Sequence, residues 1–286
     1  MSAPGRILFL LHAHLPFVRH PGYDRFFEEN WLFEAISETY LPLVQAMRRL
    51  LEKGVPGMLN LSISPPLIEM LRDESLIAKF SNHLQKQLEL AEHEAARFKD
   101  GPQSTLANFY LEREKALIEL WEGRLHRNLL QEFSALEKAG KLNLLTCVGT
   151  HPFLPAYQSD PDSIRMQLDA TIKCFESAFG RKPKGVWLPE CGYFPSLDRY
   201  LAEFGLQYFF LETHGVLLAS PPPKYGVFTP LRTKSGLYCM GREQASSMEV
   251  WSRRTGYPGH PEYREFFKDI AQERERAYLG EYFYSG

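Results

Sequence analysis

One carboxylate stands out in the chain because it lies inside an otherwise apolar run. Glu190 follows Trp187, Leu188 and Pro189 and precedes Cys191. Burial of a carboxylate in such surroundings costs several kcal/mol unless the group is paired or used in chemistry. We therefore predict that Glu190 acts as an acid, a base or a nucleophile; an ion pair at a strand end is the structural alternative. The indole of Trp187 offers a flat face that suits a pyranose ring.

Two histidines occur two residues apart near the N-terminus, in the segment His12-Ala13-His14. On an extended backbone, alternate side chains point to the same side, so both imidazoles would face one site. Such a pair can bind a metal ion or donate hydrogen bonds to substrate hydroxyls. Surface or packing histidines are the alternative interpretation, because so short a pattern also arises by chance.

Two further histidines follow predicted strands. His151 lies in a loop with Pro152 and Pro155, and two prolines in so short a segment fix its backbone. His214 follows a later strand. Each is either a site residue or an incidental histidine in a turn. For Trp31, the helical spacing of apolar residues favours a place in the core over a role as a platform for a sugar.

Short aliphatic runs alternate with longer helical patterns, which is typical of parallel β-α units. The predicted strands cover residues 6–11, 58–63, 142–148, 185–188, 208–211 and 237–240. The predicted helices cover residues 31–52, 162–178, 196–204 and 262–278, with an almost entirely helical insertion over residues 66–139. The histidines and Glu190 follow strands, and the C-terminal ends of the strands form the active site in β-α barrels. The sequence therefore predicts an α/β barrel with a site at that rim.

The bulk composition excludes several classes of protein. The chain has 286 residues, of which 44% are hydrophobic, so it can form a large core. It has 33 Lys and Arg against 35 Asp and Glu, so it offers no basic surface for nucleic acid or for a membrane. Its apolar runs are far shorter than the roughly 20 residues of a membrane span. Four scattered cysteines indicate reduced thiols, and we expect a cytoplasmic protein.

Three segments, in order along the chain, resemble the signatures of glycoside hydrolase family 57. The first is His12-Ala-His14-Leu-Pro16, the second is Gly149-Thr-His151-Pro152, and the third is Trp187-Leu-Pro-Glu190-Cys-Gly-Tyr193. In the family, the third signature carries the catalytic nucleophile. Residues 30–36, 213–215, 225–227 and 256–259 are similar to segments of the 1,4-α-glucan branching enzymes of this family. The resemblance covers the chain from residue 6 to about residue 278.

The resemblance implies a (β/α)7-type barrel, of which residues 1–286 form the N-terminal part, with the helical insertion after the second strand. It implies an α-1,4-glucan substrate, such as amylose or a glycogen-like polymer, and neither cofactor nor metal. Glu190 would form a glycosyl-enzyme by double displacement, and a 6-hydroxyl of another glucan chain would accept the sugar as an α-1,6 branch. The substrate-binding residues that it implies are His12, His14, Trp31, His151, Trp187, His214 and Tyr225.

The loop that contains Tyr225 has a role of its own in this interpretation. Residues 220–225 are rich in proline and resemble the mobile loop of branching enzymes. In those enzymes the loop shields the intermediate from water. Exclusion of water favours transfer over hydrolysis.

One part of the family pattern has no counterpart in this sequence. Retaining chemistry needs a second carboxyl group about 5–5.5 Å from the nucleophile. The family supplies this general acid as an Asp in a fourth signature, and no segment of the 286 residues resembles that signature. The resemblance therefore predicts a barrel without its last strands, whose open strand edges favour self-association. Glu212 lies too close to the segment around His214 to be nominated as a substitute acid.

Two other hypotheses stay open at this point. A metal-dependent barrel hydrolase would use His12 and His14 as ligands. Against it, no Asp ends a late strand. A non-catalytic glucan-binding protein is the other hypothesis, and the missing acid favours it.

Overall fold

A seven-stranded sheet organises the fold, with its strands in the order β1-β2-β3-β4-β5-β7-β6. The computed structural model describes residues 5–260 and Glu262. The strands are β1 (Leu10–Ala13), β2 (Leu59–Ile63), β3 (Leu142–Cys147), β4 (Gly185–Trp187), β5 (Tyr208–Leu211), β6 (Leu231–Arg232) and β7 (Tyr238–Gly241). All neighbouring pairs are parallel except β6 with β7. The predicted α/β class with a mostly parallel sheet is confirmed.

Ten α-helices lie within the described residues. They are α1 (Glu29–Glu34), α2 (Leu41–Glu52), α3 (Pro65–Leu71), α4 (Glu74–Arg97), α5 (Ser104–Ile118), α6 (Leu129–Lys138), α7 (Pro161–Phe179), α8 (Leu197–Glu203), α9 (Thr213–Leu217) and α10 (Gln244–Trp251). A π-helical segment, Ala35–Tyr40, joins α1 to α2, and another, Glu119–Arg124, extends α5. Short 3-10 helices are Leu154–Tyr157, Pro189–Cys191, Gly226–Phe228 and Tyr257–Gly259. The predicted helix over residues 262–278 lies outside the described residues, apart from Glu262.

The predicted helical insertion after the second strand is confirmed as four helices, α3 to α6. Polar side chains set its boundaries: Asp73 Oδ1 accepts a hydrogen bond from the Leu76 amide at 2.9 Å at the start of α4, and Asn128 caps α6 in the same way. Phe80 and Trp121 meet edge to face at a centroid distance of 4.9 Å in the buried core of this unit. The insertion thus packs as part of the main core and does not form a separate domain.

The first strand begins four residues later and ends two residues later than the sequence predicts. Ile7, Leu8 and Phe9 are 82%, 49% and 63% exposed. Strand β1 begins at Leu10, because Leu10 is the first residue opposite β2, where it pairs with Asn60. The apolar run before it was therefore misleading, and His12 lies within the strand, not after it.

The two edges of the sheet are formed by β1 and β6 in the described part of the chain. Self-association through such edges stays a prediction. Within residues 5–260, none of the helices combines the length and the apolar character that crossing a membrane requires.

Candidate active site

Three histidine rings and one indole stack at the C-terminal end of the sheet. The His14 and His151 ring centroids lie 3.8 Å apart, and those of His12 and His151 lie 5.4 Å apart. The indole of Trp187 also stacks with His12, at a centroid distance of 5.1 Å. Strands β1, β3 and β4 deliver these side chains, which are far apart in sequence. The structure thus brings together four of the predicted site residues, and His12 and His14 face the same side as expected.

Hydrogen bonds fix the orientation and the proton position of His12. The Ser62 hydroxyl donates to the Thr146 carbonyl at 3.1 Å, so its single hydrogen is engaged. Ser62 Oγ must therefore accept from His12 Nδ1, at 3.2 Å. The neutral His12 ring then presents an unprotonated Nε2, which accepts from His151 Nε2 at 3.2 Å.

The three imidazoles are neutral near pH 7. Burial, with the nearby His151, His14 and Arg242, lowers the pKa of His12 to about 3. Burial and His151 lower the pKa of His14 to about 4. Burial also lowers the pKa of His151, although Glu190 opposes this effect through its negative charge. The cluster therefore offers sugar hydroxyls uncharged donors and acceptors.

The loop after β4 holds Glu190 in an uncommon backbone conformation. Glu190 has φ 53° and ψ 23°, and Cys191 has φ 51°. The Cys191 amide donates to the Leu188 carbonyl at 2.8 Å, which tightens this turn. Left-handed backbone at residues other than glycine costs free energy and is often found at functional sites. His151, on the neighbouring loop, is also left-handed, with φ 63°.

Glu190 itself is exposed, although its neighbours in the sequence are apolar. Its neighbours Leu188 and Pro189 are buried, whereas the left-handed turn leaves the carboxylate accessible to solvent. The apolar residues anchor the loop in the core, and they do not determine whether the Glu190 side chain is buried or exposed. An exposed carboxylate beside a cluster of imidazoles is accessible to a substrate.

The two loops that carry Glu190 and His151 pack tightly against each other. A Cβ atom on Gly192 would lie 2.7 Å from Phe153 Cε2 and 2.9 Å from Pro155 Cδ. Gly192 therefore permits a contact between the loops that any larger residue would obstruct. We expect this contact to position Glu190 relative to His151.

Sequence reasoning did not find Arg242, which follows β7. Its Nη1 lies 2.5 Å from Glu212 Oε1, and its guanidinium carbon lies 5.4 Å from the centre of the Trp187 ring. The charges of Arg242, Glu212 and Glu190 all act on the Cys191 thiol, whose pKa burial raises to about 12. A single arginine forms no sequence motif, so a search for motifs does not find it. Its position directly after a predicted strand was the signal that could have pointed to it.

The remaining predicted residues lie on exposed surface. Trp31 is 43% exposed and its ring meets Phe27, so the interpretation of Trp31 as a core residue is wrong. His214 is exposed on α9, and Tyr225 is 60% exposed with Lys224 Nζ 5.2 Å from its ring centre. In the described part of the chain, no hydrogen bond or ring contact joins these three side chains to the histidine cluster.

Within residues 5–260, one group of side chains could hold a metal ion. His12, His151 and Cys147 each offer a ligand atom, and these atoms lie within 4.8 Å of one another. Cys147 is fully buried, and all four cysteines are free.

Residues 8–279 match the glycosyl hydrolase family 57. The chain belongs to this family. It is 31% identical over 292 residues to a 1,4-alpha-glucan branching enzyme from Thermococcus kodakarensis, a match that covers 92% of this chain and 42% of that protein. The match to the family over residues 8–279 shows this membership, and the similarity extends well beyond the three short signatures.

Solved structures of the family share the fold. The alpha-amylase AmyC from Thermotoga maritima has a TM-score of 0.91 and 42% identity, over 97% of this chain and 53% of that one. A branching enzyme from Pyrococcus horikoshii has a TM-score of 0.82 and 35% identity, over 92% of this chain and 51% of that one. The expected (β/α)7-barrel type is confirmed, and the chain spans about half the length of these relatives.

Proposed function

We propose that this chain carries the nucleophile half of a retaining enzyme that acts on α-1,4-glucans, with Glu190 as the nucleophile. The observation that supports this role is the exposed carboxylate on a left-handed turn, close enough to His151 to act on its pKa. A nucleophile must be both ionised and accessible to the anomeric carbon. The family match over residues 8–279 supports the assignment of residues 1–286 as one part of a catalytic domain.

The reaction would proceed in two displacements. The Glu190 carboxylate attacks the anomeric carbon while the bond to the leaving oxygen breaks and that oxygen takes up a proton. A 6-hydroxyl of another glucan chain then attacks the glycosyl ester, loses its proton and forms an α-1,6 branch. His12, His14 and His151 would hydrogen-bond to the hydroxyls of the sugar that is transferred, and Trp187 would pack against its ring.

In this proposal, three residues contact the glucan outside the histidine cluster: Trp31, His214 and Tyr225. Their exposure suits contacts with a glucan chain that extends beyond the histidine cluster. Tyr225 would shield the glycosyl-enzyme from water. The general acid would be the Asp of the fourth family signature, because the resemblance gives none of these 286 residues that role.

We further propose that the glycosyl group is transferred to a glucan and not to water. Two relatives support it, since the proteins from Thermococcus kodakarensis and Pyrococcus horikoshii are described as branching enzymes. The likeness to the Thermotoga maritima alpha-amylase supports hydrolysis as a second candidate. A cytoplasmic role in the synthesis of a glycogen-like polymer belongs to the same proposal, and the four free thiols support that compartment.

An activated donor tests the nucleophile without the general acid. In α-maltotriosyl fluoride the fluoride ion leaves without a proton, so Glu190 can be glycosylated in the chain as it stands. We expect the intact mass to rise by one maltotriosyl group and peptide mapping to place it on Glu190. Glu190→Gln should abolish the adduct, whereas Glu203→Gln, which alters an exposed carboxylate on α8, should keep it. An adduct on another carboxylate would contradict the role of Glu190, and so would the absence of any adduct at saturating donor.

A second experiment uses a natural substrate, whose leaving oxygen needs a proton. On amylose, the chain should bind but turn over slowly, because general acid catalysis contributes about 10²–10⁴-fold. Calorimetry with maltoheptaose measures binding, and iodine staining with a reducing-end assay measures turnover. Full branching activity from this chain would mean that an acid lies among the present residues, and Glu212 would be the first to examine.

A further inference from the structure

We propose that His12, His151 and Cys147 form a binding site for Zn²⁺, and that zinc bound there excludes glucan from the histidine cluster. The site is distinct from a catalytic metal centre, since the proposed reaction uses a carboxylate nucleophile. Two imidazoles and one thiolate are a donor set that suits zinc and not magnesium or calcium.

The spacing of the donors fits a single zinc ion. Two nitrogens at 2.0–2.1 Å from one zinc lie roughly 3.3 Å apart when the angle between them is tetrahedral. His12 Nε2 and His151 Nε2 lie 3.2 Å apart. The three ligand atoms lie within 4.8 Å of one another, against roughly 3.6 Å between sulfur and nitrogen in a zinc site. The longest of these separations therefore needs to shorten by about 1.2 Å for the three atoms to bind one zinc ion.

The hydrogen bonds around His12 prepare it as a ligand. Because Ser62 donates to the Thr146 carbonyl, Ser62 Oγ accepts from His12 Nδ1 and leaves the lone pair on Nε2. Zinc-bound histidines usually donate their second N–H in this way, which fixes the ring orientation. His151 Nε2 would pass its proton to Nδ1, and the Cys147 thiol would release its proton to solvent.

The position of the site makes zinc and glucan competitors. Cys147 is 0% exposed, whereas His12 and His151 are partly exposed, so zinc would enter from the side of the imidazoles that faces solvent. Both imidazoles would be engaged by the metal and lost to sugar hydroxyls. This competition rests on the proposed function, but zinc binding itself does not.

Zinc binding can be tested without any glucan. Calorimetry of the purified chain with ZnCl₂, in a buffer that does not bind metal, should give one site, and MgCl₂ should give none. Addition of Co²⁺ to the unaltered chain should give the visible bands of a tetrahedral ion and a near-ultraviolet charge-transfer band from the thiolate. A cobalt spectrum without the thiolate band would overturn the assignment of Cys147 as a ligand. This experiment uses the unaltered chain, so it does not depend on whether a Cys147 variant folds.

Variants separate this site from incidental metal binding. Cys147→Ser should weaken zinc binding by more than about 100-fold, and Ser62→Ala should weaken it by about 10–100-fold through the second N–H of His12. Cys239→Ser is the matched control, since it changes another buried cysteine, on β7, and should leave zinc affinity unchanged. Equal zinc affinity in the Cys147 and Cys239 variants would overturn the proposal.

A further experiment tests the competition between zinc and glucan. Saturating Zn²⁺ should weaken maltoheptaose binding to the unaltered chain at least tenfold and leave binding to Cys147→Ser almost unchanged. Simultaneous binding of both ligands would overturn the exclusion while the zinc site remained. If maltoheptaose did not bind even without zinc, the proposed glucan function would fail, and the calorimetry and the cobalt spectrum would still decide the zinc site.

Discussion

Arg242 pairs with Glu212 through an Nη1–Oε1 contact of 2.5 Å, and the pair lies beside the ring of Trp187. The Arg242 amide donates to the Leu211 carbonyl at 2.9 Å, and its carbonyl accepts from Thr213 Oγ1 at 2.7 Å. The ends of β5 and β7 thus hold the backbone of Arg242 in place, and Glu212 holds its guanidinium. Because the other face of the site is made of neutral imidazoles, Arg242 is a fixed positive charge next to the proposed sugar platform.

We predict that Arg242→Ala weakens maltoheptaose binding by roughly 2- to 30-fold, which corresponds to about 0.5–2 kcal/mol for a cation–π contact. The reason is that Trp187 loses the group that holds its ring against His12. Arg165→Ala is a matched control, because Arg165 pairs with Glu203 and lies 5.0 Å from the Tyr200 ring centre, away from the cluster. Calorimetry on both variants measures the effect, and equal losses would show that Arg242 acts only through general stability.

The parallel strands and the histidine cluster could be predicted from the sequence, because both leave local patterns. Strand β5 agrees in both bounds, and β4 agrees at its start. His12, His14 and His151 each lie in or after a strand, and the C-terminal ends of parallel strands meet at one edge of the sheet. Their contact therefore follows from the order of the elements.

Features that depend on exposure and on distant contacts could not be predicted. The apolar run before β1 is a good strand by composition, but exposure of Ile7 and Phe9 shows that the pairing with β2 determines the bounds. The exposure of Glu190 follows from a left-handed turn, which hydrophobicity does not report. Arg242 meets its partners only after β7 is placed beside β5.

Tyr225 should control the partition between transfer and hydrolysis. Its ring is 60% exposed, next to the segment Pro221–Pro223, so it is free to contact a bound glucan. We expect Tyr225→Ala to raise the share of hydrolysis more than it lowers total donor cleavage, because water reaches the glycosyl-enzyme more easily. Product analysis with α-maltotriosyl fluoride and a maltoheptaose acceptor gives the ratio of transfer product to free maltotriose. Tyr110→Ala, on the exposed face of α5, is the control. An unchanged ratio in the Tyr225 variant would count against the shielding role.

Acid should destabilise the chain partly through His83. Burial and the nearby Arg25 lower the pKa of His83 to about 4, below its ordinary value of 6.5. The unfolded chain therefore binds a proton below pH 6.5 that the folded chain does not, so the free energy of unfolding falls as the pH falls from 6.5 toward 4. For one such group the loss between pH 7 and pH 5 is about 2 kcal/mol.

Removal of this histidine should flatten the pH dependence. His83 packs against Phe33 and Phe80, and Lys79 and Lys86 line the same small cavity. His83→Gln removes the titrating group, so its free energy of unfolding, measured with urea, should fall less between pH 7 and pH 5. His93→Gln, an exposed histidine on the same helix, should keep the slope of the parent. If both variants kept that slope, His83 would not be the linked group.

Gly192 should be the residue through which the Glu190 loop is positioned against the His151 loop. A methyl group at Gly192 would lie within 3 Å of Phe153 and Pro155, although its φ of −68° suits any residue. Gly192→Ala must therefore push the two loops apart, and such overpacking costs about 1–3 kcal/mol of stability. Gly22→Ala has nothing within 4 Å of its new methyl group and is the control.

The effect of Gly192→Ala on chemistry should exceed its effect on folding. A displaced turn moves the Glu190 carboxylate relative to the sugar that His151 holds, and a misplacement of about 1 Å can cost 10²-fold in rate. We expect adduct formation with α-maltotriosyl fluoride to slow by at least tenfold at a temperature where circular dichroism shows that the variant is folded. Maltoheptaose binding should fall less, because His12, His14 and Trp187 lie in or directly after strands β1 and β4, outside the two displaced loops. A variant that loses stability but labels at the parent rate would show that the contact between the loops supports the fold and does not position Glu190.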